Sequence, residues 1–184
     1  MMQPDDTQLI KRILGGDIQG YSVLVNRHKD LAFTIACRIL NNREDAEEAV
    51  QDAFVKAYRG LPGFRQDSRF STWLFRIVYN ASISKRRLQK AGIQYVDDLN
   101  THPESYMTTD QEDTEERGLW VEKAMQKLPE VDRVLITLFY INESNVEEIH
   151  RITGLTRSNI KVKLFRARKK LQELTGMMAE KICI

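Results

Sequence analysis

Apolar residues recur at intervals of three and four positions along most of this chain, and this helical period constrains the fold more than any other feature of the sequence. The pattern starts near Leu9 and is interrupted at Gly15-Gly16 and again at Asn41-Asn42. No stretch alternates apolar and polar residues convincingly, as a half-buried strand does. The sequence therefore predicts an all-α protein, in which either asparagine can cap the helix that follows the second break.

The distribution of charge divides the chain into three parts. Residues 1–90 carry 15 basic and 10 acidic residues, and residues 117–184 carry 13 basic and 8 acidic residues. Residues 91–116 carry 8 acidic residues and no basic residue, and they include Gly92 and Pro103. A segment with one sign of charge and few apolar residues cannot build a core of its own. We therefore predict two small helical domains, 1–90 and 117–184, joined by a flexible acidic linker over 91–116.

The sequence disfavours several classes of protein. Cys37 and Cys183 are too few and too far apart for a disulfide framework or a zinc knuckle, and the three histidines are isolated from one another. No nucleophile–base arrangement and no phosphate-binding glycine loop favours catalysis. We therefore predict that the protein is not an enzyme and that it uses neither a metal nor a cofactor.

The N-terminus and the hydropathy of the chain bear on its location. The first residues, MMQPDDTQLI, lack the basic and apolar regions of a signal peptide. No apolar run approaches the roughly 20 residues that are needed to span a bilayer. We therefore expect a cytoplasmic protein without membrane insertion.

Residues 144–171, SNVEEIHRITGLTRSNIKVKLFRARKKL, have the parts of a helix-turn-helix. Ser144, followed three residues later by Glu147, matches a capping box for the first, short helix. Gly154 supplies the sharp turn, and Thr156 can cap the second helix.

The second helix of this motif has one strongly basic side. At about 100° per residue, one set of residues falls on the inner side: Ile160, Leu164, Ala167, Arg168 and Leu171. The outer side carries Ser158, Asn159, Val162, Lys163, Phe165, Arg166, Lys169 and Lys170. A solvated helix face usually mixes basic and acidic residues, but this segment contains no acid, which favours binding to nucleic acid.

Residues 70–87, FSTWLFRIVYNASISKRR, carry more apolar surface than one side of a helix needs. Phe70, Leu74 and Val78 belong to a core-facing stripe. The opposite side carries Thr72, Phe75, Arg76, Tyr79, Asn80, Ile83, Arg86 and Arg87. Aromatic rings beside cations are typical of surfaces that hold single-stranded nucleic acid. The alternative, that these rings pack on the preceding helices, stays open at this point.

The predicted helix over 43–61, REDAEEAVQDAFVKAYRGL, is acidic in its first three turns. Glu44 and Asp45 are accounted for by the helix dipole, which favours negative charge near a helix N-terminus. Asp52 lies too far along the helix for that explanation, so a surface for a partner remains open.

Four motifs occur in one order along nearly the whole chain: DAEEAVQDAFVKAY, FRQDSRFSTWLFRIVYN, LPEVDRVLITLFY and EEIHRITGLTRSNIKVKLFRARKKL. Together they resemble the extracytoplasmic-function branch of the sigma-70 family of bacterial RNA polymerase sigma factors, and only the linker is unmatched. The resemblance implies a region 2-like first domain and a region 4-like second domain. It also implies a dissociable subunit, without catalysis of its own, that directs promoter recognition, strand opening and transcription initiation in a stress or envelope response.

The resemblance assigns roles to particular positions. It implies that the helix of residues 45–58 docks on the clamp helices of the core polymerase β′ subunit through Asp45, Glu48, Gln51, Asp52, Val55 and Lys56. It implies that residues 64–87 open and hold the minus-ten strand, with contacts from Thr72, Trp73, Phe75, Arg76, Tyr79, Asn80, Arg86 and Arg87, of which Asn80 reads a base. It implies that the second helix of the helix-turn-helix reads the minus-thirty-five element through Arg157, Ser158, Asn159, Lys161, Val162, Lys163, Phe165, Arg166, Lys169 and Lys170.

Further partners are implied by the same resemblance. They are the β flap of the polymerase, promoter DNA in duplex and single-stranded form, and an anti-sigma factor. The linker is implied to pass near the RNA exit path. Two positions depart from the family: His150 stands where a small residue is usual, and Val162 replaces a small polar residue and could contact a thymine methyl instead.

Two rival hypotheses remain. One is a self-sufficient helix-turn-helix regulator whose first domain senses a ligand or dimerises, which would need a pocket on the second face of residues 70–87. The other is a structural adaptor that binds only protein, which leaves the basic face at 157–170 unexplained.

Overall fold

The computed structural model of the protein describes residues 5–93 and 121–175. Within these ranges the chain is helical and contains no strand, and the prediction of an all-α fold is confirmed. Most of the predicted linker, residues 94–116, lies outside the described residues. Its flexibility therefore stays a prediction. No helix in the described ranges is both long enough and apolar enough to cross a membrane.

The first described range, here called the first unit, contains four helices. They are α1 (Asp6–Leu14), α2 (Gln19–Leu40), α3 (Arg43–Gly60) and α4 (Phe70–Ile93), with a single 3-10 turn at Leu61–Gly63 between the last two. Helix α4 therefore runs three residues past the predicted start of the linker, because no helix breaker precedes Gly92.

The second described range, here called the second unit, begins with a helical stretch over 121–126, α5. It continues with α6 (Glu130–Ile136), which passes into one turn of π-helix (Thr137–Ile141), and with α7 (Val146–Thr153) and α8 (Arg157–Thr175). Helices α7 and α8 form the predicted helix-turn-helix. Their apolar side chains meet those of α6 in a core that includes Leu135, Ile149, Ile160 and Leu164.

Short polar side chains fix several helix ends. Asn41 ends α2 in the left-handed conformation, with φ of 54°, and Asn42 caps α3 by accepting a hydrogen bond of 2.9 Å from the Asp45 amide. The two asparagines thus end one helix and start the next. They tolerate these two conformations because their side chains hydrogen-bond locally.

The capping box of α7 is displaced by one residue from its predicted position. Asn145, rather than Ser144, accepts from the backbone amide of Glu148, and the Glu148 carboxylate accepts from the amide of Asn145. Ser144 is buried instead, and its hydroxyl accepts a hydrogen bond from the side chain of Asn142. Because Asn and Ser are about equally good caps, the sequence alone could not separate the two registers.

The two units pack directly against each other. Helix α4 contacts α2 and α3 of its own unit and α7 of the second unit, and α6 contacts α2. As a result, α4 is covered on more than one side. Phe75 is fully buried, with its ring 6.1 Å from that of His28 on α2, and Tyr79 is 7% exposed.

The predicted exposure of Phe75 and Tyr79 is therefore wrong, as is the solvent position of Thr72, which is also buried. The helical period identifies the side of a helix opposite its core-facing stripe, but that side is exposed only if no other helix packs on it. Here the covering helices are α2 and α7, and α7 begins 53 residues after the end of α4. Burial also raises the pKa of the Tyr79 phenol above its ordinary value.

We expect Phe75→Ala to lower the free energy of unfolding by about 3–5 kcal/mol, because truncation leaves a cavity in the interior of the first unit. Phe165→Ala is the matched control: its ring is 65% exposed, so the change should stay within about 0.5 kcal/mol. Urea unfolding followed by circular dichroism measures both. Equal stability of the two variants would contradict the buried position of Phe75.

Candidate nucleic-acid and polymerase interface

The outer face of α8 is open to solvent. Most of the residues predicted to contact the minus-thirty-five element are exposed, namely Arg157, Ser158, Asn159, Lys161, Val162, Phe165, Arg166, Lys169 and Lys170. Val162 and Phe165 are 46% and 65% exposed, which is unusual for apolar side chains without a partner. The inner residues Ile160, Leu164 and Ala167 are buried as predicted, whereas Arg168, which was also predicted on the inner side, is exposed.

Three cations of this predicted set are already paired, and one of them is Lys170, whose ammonium lies 4.0 Å from Oε2 of Glu173. The Lys163 ammonium lies 2.9 Å from Oδ1 of Asp132, a largely buried carboxylate on α6, and Lys163 therefore faces the second unit rather than solvent. Arg157 Nε lies 2.6 Å from Oε2 of Glu147, and this hydrogen bond holds the pKa of the Glu147 carboxyl below its ordinary value. The free basic surface is thus narrower than predicted, and Lys163 does not belong to it.

The turn between α7 and α8 is braced by the unusual histidine. Gly154 adopts φ of +74°, which L side chains rarely adopt, and it ends α7. His150 Nδ1 lies 2.7 Å from the carbonyl oxygen of Leu155, beyond the turn. Because a carbonyl only accepts, Nδ1 carries the proton. His150 therefore ties the end of α7 to the chain that leads into α8, and Thr156 accepts from the Asn159 amide at 3.3 Å.

On α4, the exposed surface is a narrow polar line. Arg76, Asn80 and Arg87 are exposed at spacings of four and seven residues, which places them on one side of the helix. Sequence reasoning missed two neighbours on the same line, Ser84 and the 74% exposed Leu88. Of the residues predicted to contact the minus-ten strand, only Arg76, Asn80 and Arg87 are freely accessible.

The N-terminal end of α4 borders a cleft of about 390 Å³. Phe64 and Trp73 form its aromatic wall, with ring centroids 5.1 Å apart, and Trp73 is partly buried there. Arg65 and Arg76 line the cleft from the first unit, and Arg151 lines it from α7. The sequence analysis missed Phe64, Arg65 and Arg151 because they come together only when the loop before α4 meets the second unit.

Arg86 does not face solvent as predicted. Its guanidinium donates from Nε and Nη2 to Oε1 of Glu130, at 3.0 and 2.8 Å, and both side chains are 25% exposed. Glu130 belongs to the second unit, so no property of the 70–87 stretch could have indicated this partner.

Helix α3 presents most of the predicted docking surface for the polymerase, but its acids Asp45 and Glu48 are both paired with Lys85. Glu48, Gln51, Asp52, Val55 and Lys56 are exposed at spacings of three and four residues. Asp45 is engaged instead, since its two carboxylate oxygens lie 2.9 Å from the Lys85 ammonium and 2.7 Å from the Gln89 amide. These contacts tie α3 to α4, which gives Asp45 a structural role.

Two family descriptions match the chain, and they fall on the two units. Sigma-70 region 2 matches residues 24–91, and Sigma-70, region 4 matches residues 118–171. The first range contains the exposed faces of α3 and α4, and the second contains the helix-turn-helix.

Curated relatives and a solved structure agree with these matches. The ECF RNA polymerase sigma-E factor of Escherichia coli is 30% identical over 182 residues, which cover 91% of this chain and 92% of that protein. The ECF RNA polymerase sigma factor SigM of Mycobacterium tuberculosis is 29% identical over 178 residues, covering 94% of this chain and 86% of SigM.

The solved structure is that of the sigma factor RpoE in complex with the anti-sigma factor NepR, from Bartonella quintana. It is similar with a TM-score of 0.67 and 25% identity, covering 85% of this chain and 97% of RpoE. The resemblance predicted from the four motifs is confirmed, and this chain belongs to the extracytoplasmic-function branch of the sigma-70 family of RNA polymerase sigma factors.

Proposed function

We propose that this chain is a dissociable subunit that binds core RNA polymerase and directs promoter recognition, strand opening and transcription initiation. The observation that carries the proposal is the exposed basic outer face of α8, which has no acid from Arg157 to Lys170 and is set on a braced helix-turn-helix. A face of one charge sign costs self-repulsion in the free protein and is favourable beside a polyanion. Membership of the sigma factor family supports the same conclusion.

In this proposal, α8 reads the minus-thirty-five duplex. Arg166 and Lys161 can donate to base edges in the major groove, and the exposed Val162 can contact a thymine methyl. Lys169 and Lys170 lie farther along the helix and neutralise phosphates, which positions the helix without reading sequence. Phe165 adds an exposed apolar surface at the centre of the face.

The single-stranded minus-ten element is assigned to α4 and the adjoining cleft. Asn80 is the exposed amide that can read a base, and Arg76 and Arg87 flank it as cations for the backbone. Trp73 and Phe64, rather than the buried Phe75 and Tyr79, are the rings available for stacking.

The exposed side of α3 is the proposed contact for the clamp helices of the β′ subunit. It carries Asp52 and the exposed Glu48, whose carboxylate is paired with Lys85, beside Val55, so both charge and apolar contact can contribute. The β flap is proposed as a second contact on the polymerase.

The proposal extends to regulation and location. As RpoE is bound by NepR in the solved complex, an anti-sigma factor is proposed to control this chain, in a stress or envelope response. The chain is proposed to act in the cytoplasm, where its polymerase is, and to contribute no catalysis of its own.

Run-off transcription from genomic fragments with bacterial core enzyme tests the proposed function. We expect specific transcripts only when core enzyme and this protein are both present, because each unit alone offers a small basic surface and the polymerase fixes both at one spacing. Tight, sequence-specific binding to DNA by the chain alone, without any core-dependent transcript, would favour an autonomous regulator.

Charge reversal on α3 tests the docking surface. We expect Asp52→Arg to weaken binding to core enzyme by about five- to tenfold, and less at high salt, since exposed charges are screened. Asp30→Arg is the matched control, because it makes the same charge change at an exposed position on α2. Fluorescence anisotropy of labelled protein with core enzyme measures both, and equal affinities would refute docking through this face.

Two substitutions on α8 separate base reading from phosphate binding. We expect Arg166→Ala in the polymerase complex to cost about 1–3 kcal/mol of promoter binding and to relax selectivity at one position of the minus-thirty-five element. Lys169→Ala should weaken binding to all sequences alike. It should also lower the slope of the logarithm of the binding constant against the logarithm of salt concentration by about one. Binding to a randomised promoter library at two salt concentrations distinguishes the two results. A uniform loss for Arg166→Ala would make it a phosphate contact.

A further inference from the structure

The outermost line of α8 carries two neighbouring apolar side chains. The buried Ile160 and Leu164 mark the inner side of the helix, and 100° per residue places Val162 and Phe165 close to the opposite side. Val162 is 46% exposed and Phe165 is 65% exposed. We call these two residues the apolar pair. Because both side chains face water, a partner that covers them together gains free energy from the hydrophobic effect.

Cations flank the apolar pair on both sides. Lys161 and Arg166 are exposed, and they lie about 70° to either side of its centre around the helix. Neither of them forms an ion pair with the residues that the structure describes. No acid occurs from residue 157 to residue 170. A basic rim around an apolar centre fits a polyanion that offers an apolar group between its charges, which favours duplex DNA over a protein as the partner.

The major groove of DNA presents one apolar group at the base edges, the methyl group at C5 of thymine. Apolar side chains contact this methyl group directly. The rise from Val162 to Phe165 along the helix axis is about 4.5 Å for three residues, and successive base pairs are about 3.4 Å apart. The two members of the apolar pair can therefore each meet a methyl group, on neighbouring base pairs.

A cytosine that is methylated at C5 carries its methyl group at the same place in the groove as thymine. The two bases differ at position 4, where cytosine presents an amino donor and thymine a carbonyl acceptor. The side chains of Val162 and Phe165 contain no hydrogen-bonding group, so they cannot distinguish the bases at that position. The apolar pair thus responds to the methyl group and not to the identity of the pyrimidine.

We propose that Val162 and Phe165 read the C5 methyl groups of pyrimidines on two neighbouring base pairs of the minus-thirty-five element. Thymine and 5-methylcytosine are both accepted there, whereas uracil and unmethylated cytosine are disfavoured. Methylation of a promoter cytosine at these positions therefore strengthens binding, which makes this chain sensitive to the methylation state of DNA. This inference rests on the proposed function and names the chemical group that its duplex site selects.

Changes of single methyl groups in the DNA test the proposal. Core enzyme with the full-length chain selects its tightest duplexes from a promoter library with a randomised minus-thirty-five element. These duplexes are then resynthesised with deoxyuridine in place of one thymidine at a time. We expect the loss of one contacted methyl group to weaken binding about three- to fivefold, the effect of exposing one buried carbon. At the same positions, 5-methyldeoxycytidine should bind more tightly than deoxycytidine by a similar factor.

Substitutions in the chain assign this preference to the apolar pair. Val162→Ser and Phe165→Ala should each abolish the preference for thymidine over deoxyuridine at one of the two positions, and the double variant should lose it at both. Lys169→Ala is the matched control on the same side of α8. It should weaken binding to both DNAs alike and leave their ratio unchanged, because a phosphate contact does not depend on the base. Fluorescence anisotropy of labelled duplexes measures these affinities.

The proposal would be overturned if deoxyuridine bound as tightly as thymidine at every position, or if the double variant kept the preference. A loss of affinity for core enzyme in Phe165→Ala, with the methyl preference unchanged, would assign the ring to a protein contact instead. Absence of any enriched sequence with the wild-type chain would count against the proposed function and the inference together. Enriched sequences without a methyl preference would count against the inference alone.

Discussion

The packing of α4 is the interaction on which the rest of the structure depends. Its inner stripe, with Leu74 and Val78, completes the core of the first unit, and its opposite side meets α7. One helix therefore stabilises the fold, supplies the polar line that includes Asn80, and joins the two units. Packing on two sides buries Phe75 and Tyr79 and leaves a mainly polar exposed line, in which the 74% exposed Leu88 is the exception.

Carboxylates of the protein and phosphates of nucleic acid compete for the same cations, and this competition links the fold to its function. Arg86 and Lys163 sit on helices assigned to DNA, but each is paired with a carboxylate of the second unit, Glu130 and Asp132. The Arg86 guanidinium donates from both Nε and Nη2 to one oxygen of Glu130, which leaves fewer donors for another anion. The acids of α6 thus decide which cations remain free for nucleic acid, and this selection is electrostatic, so it depends on salt.

The helix-turn-helix was predictable because its determinants are local. Gly154, the basic run on α8 and the apolar period all lie within 28 consecutive residues, and the outer face proved exposed apart from Lys163. The capping box was misplaced by one residue, since Ser144 and Asn145 have similar capping strength. The bracing role of His150 could not be derived, because it requires the position of the Leu155 carbonyl after the turn is formed.

The sequence by itself determined the helical class, the division into two basic units around an acidic segment, the family, and the inner face of each helix. These follow from spacing and composition along a continuous stretch. Only the tertiary structure decided whether a second face is covered, because periodicity records positions on one helix and not the neighbours that pack on it. Phe75 is buried against α2, and Arg86 is bound by Glu130, 44 residues away in the chain. Contacts at such separation depend on how units dock, and no local pattern encodes that docking.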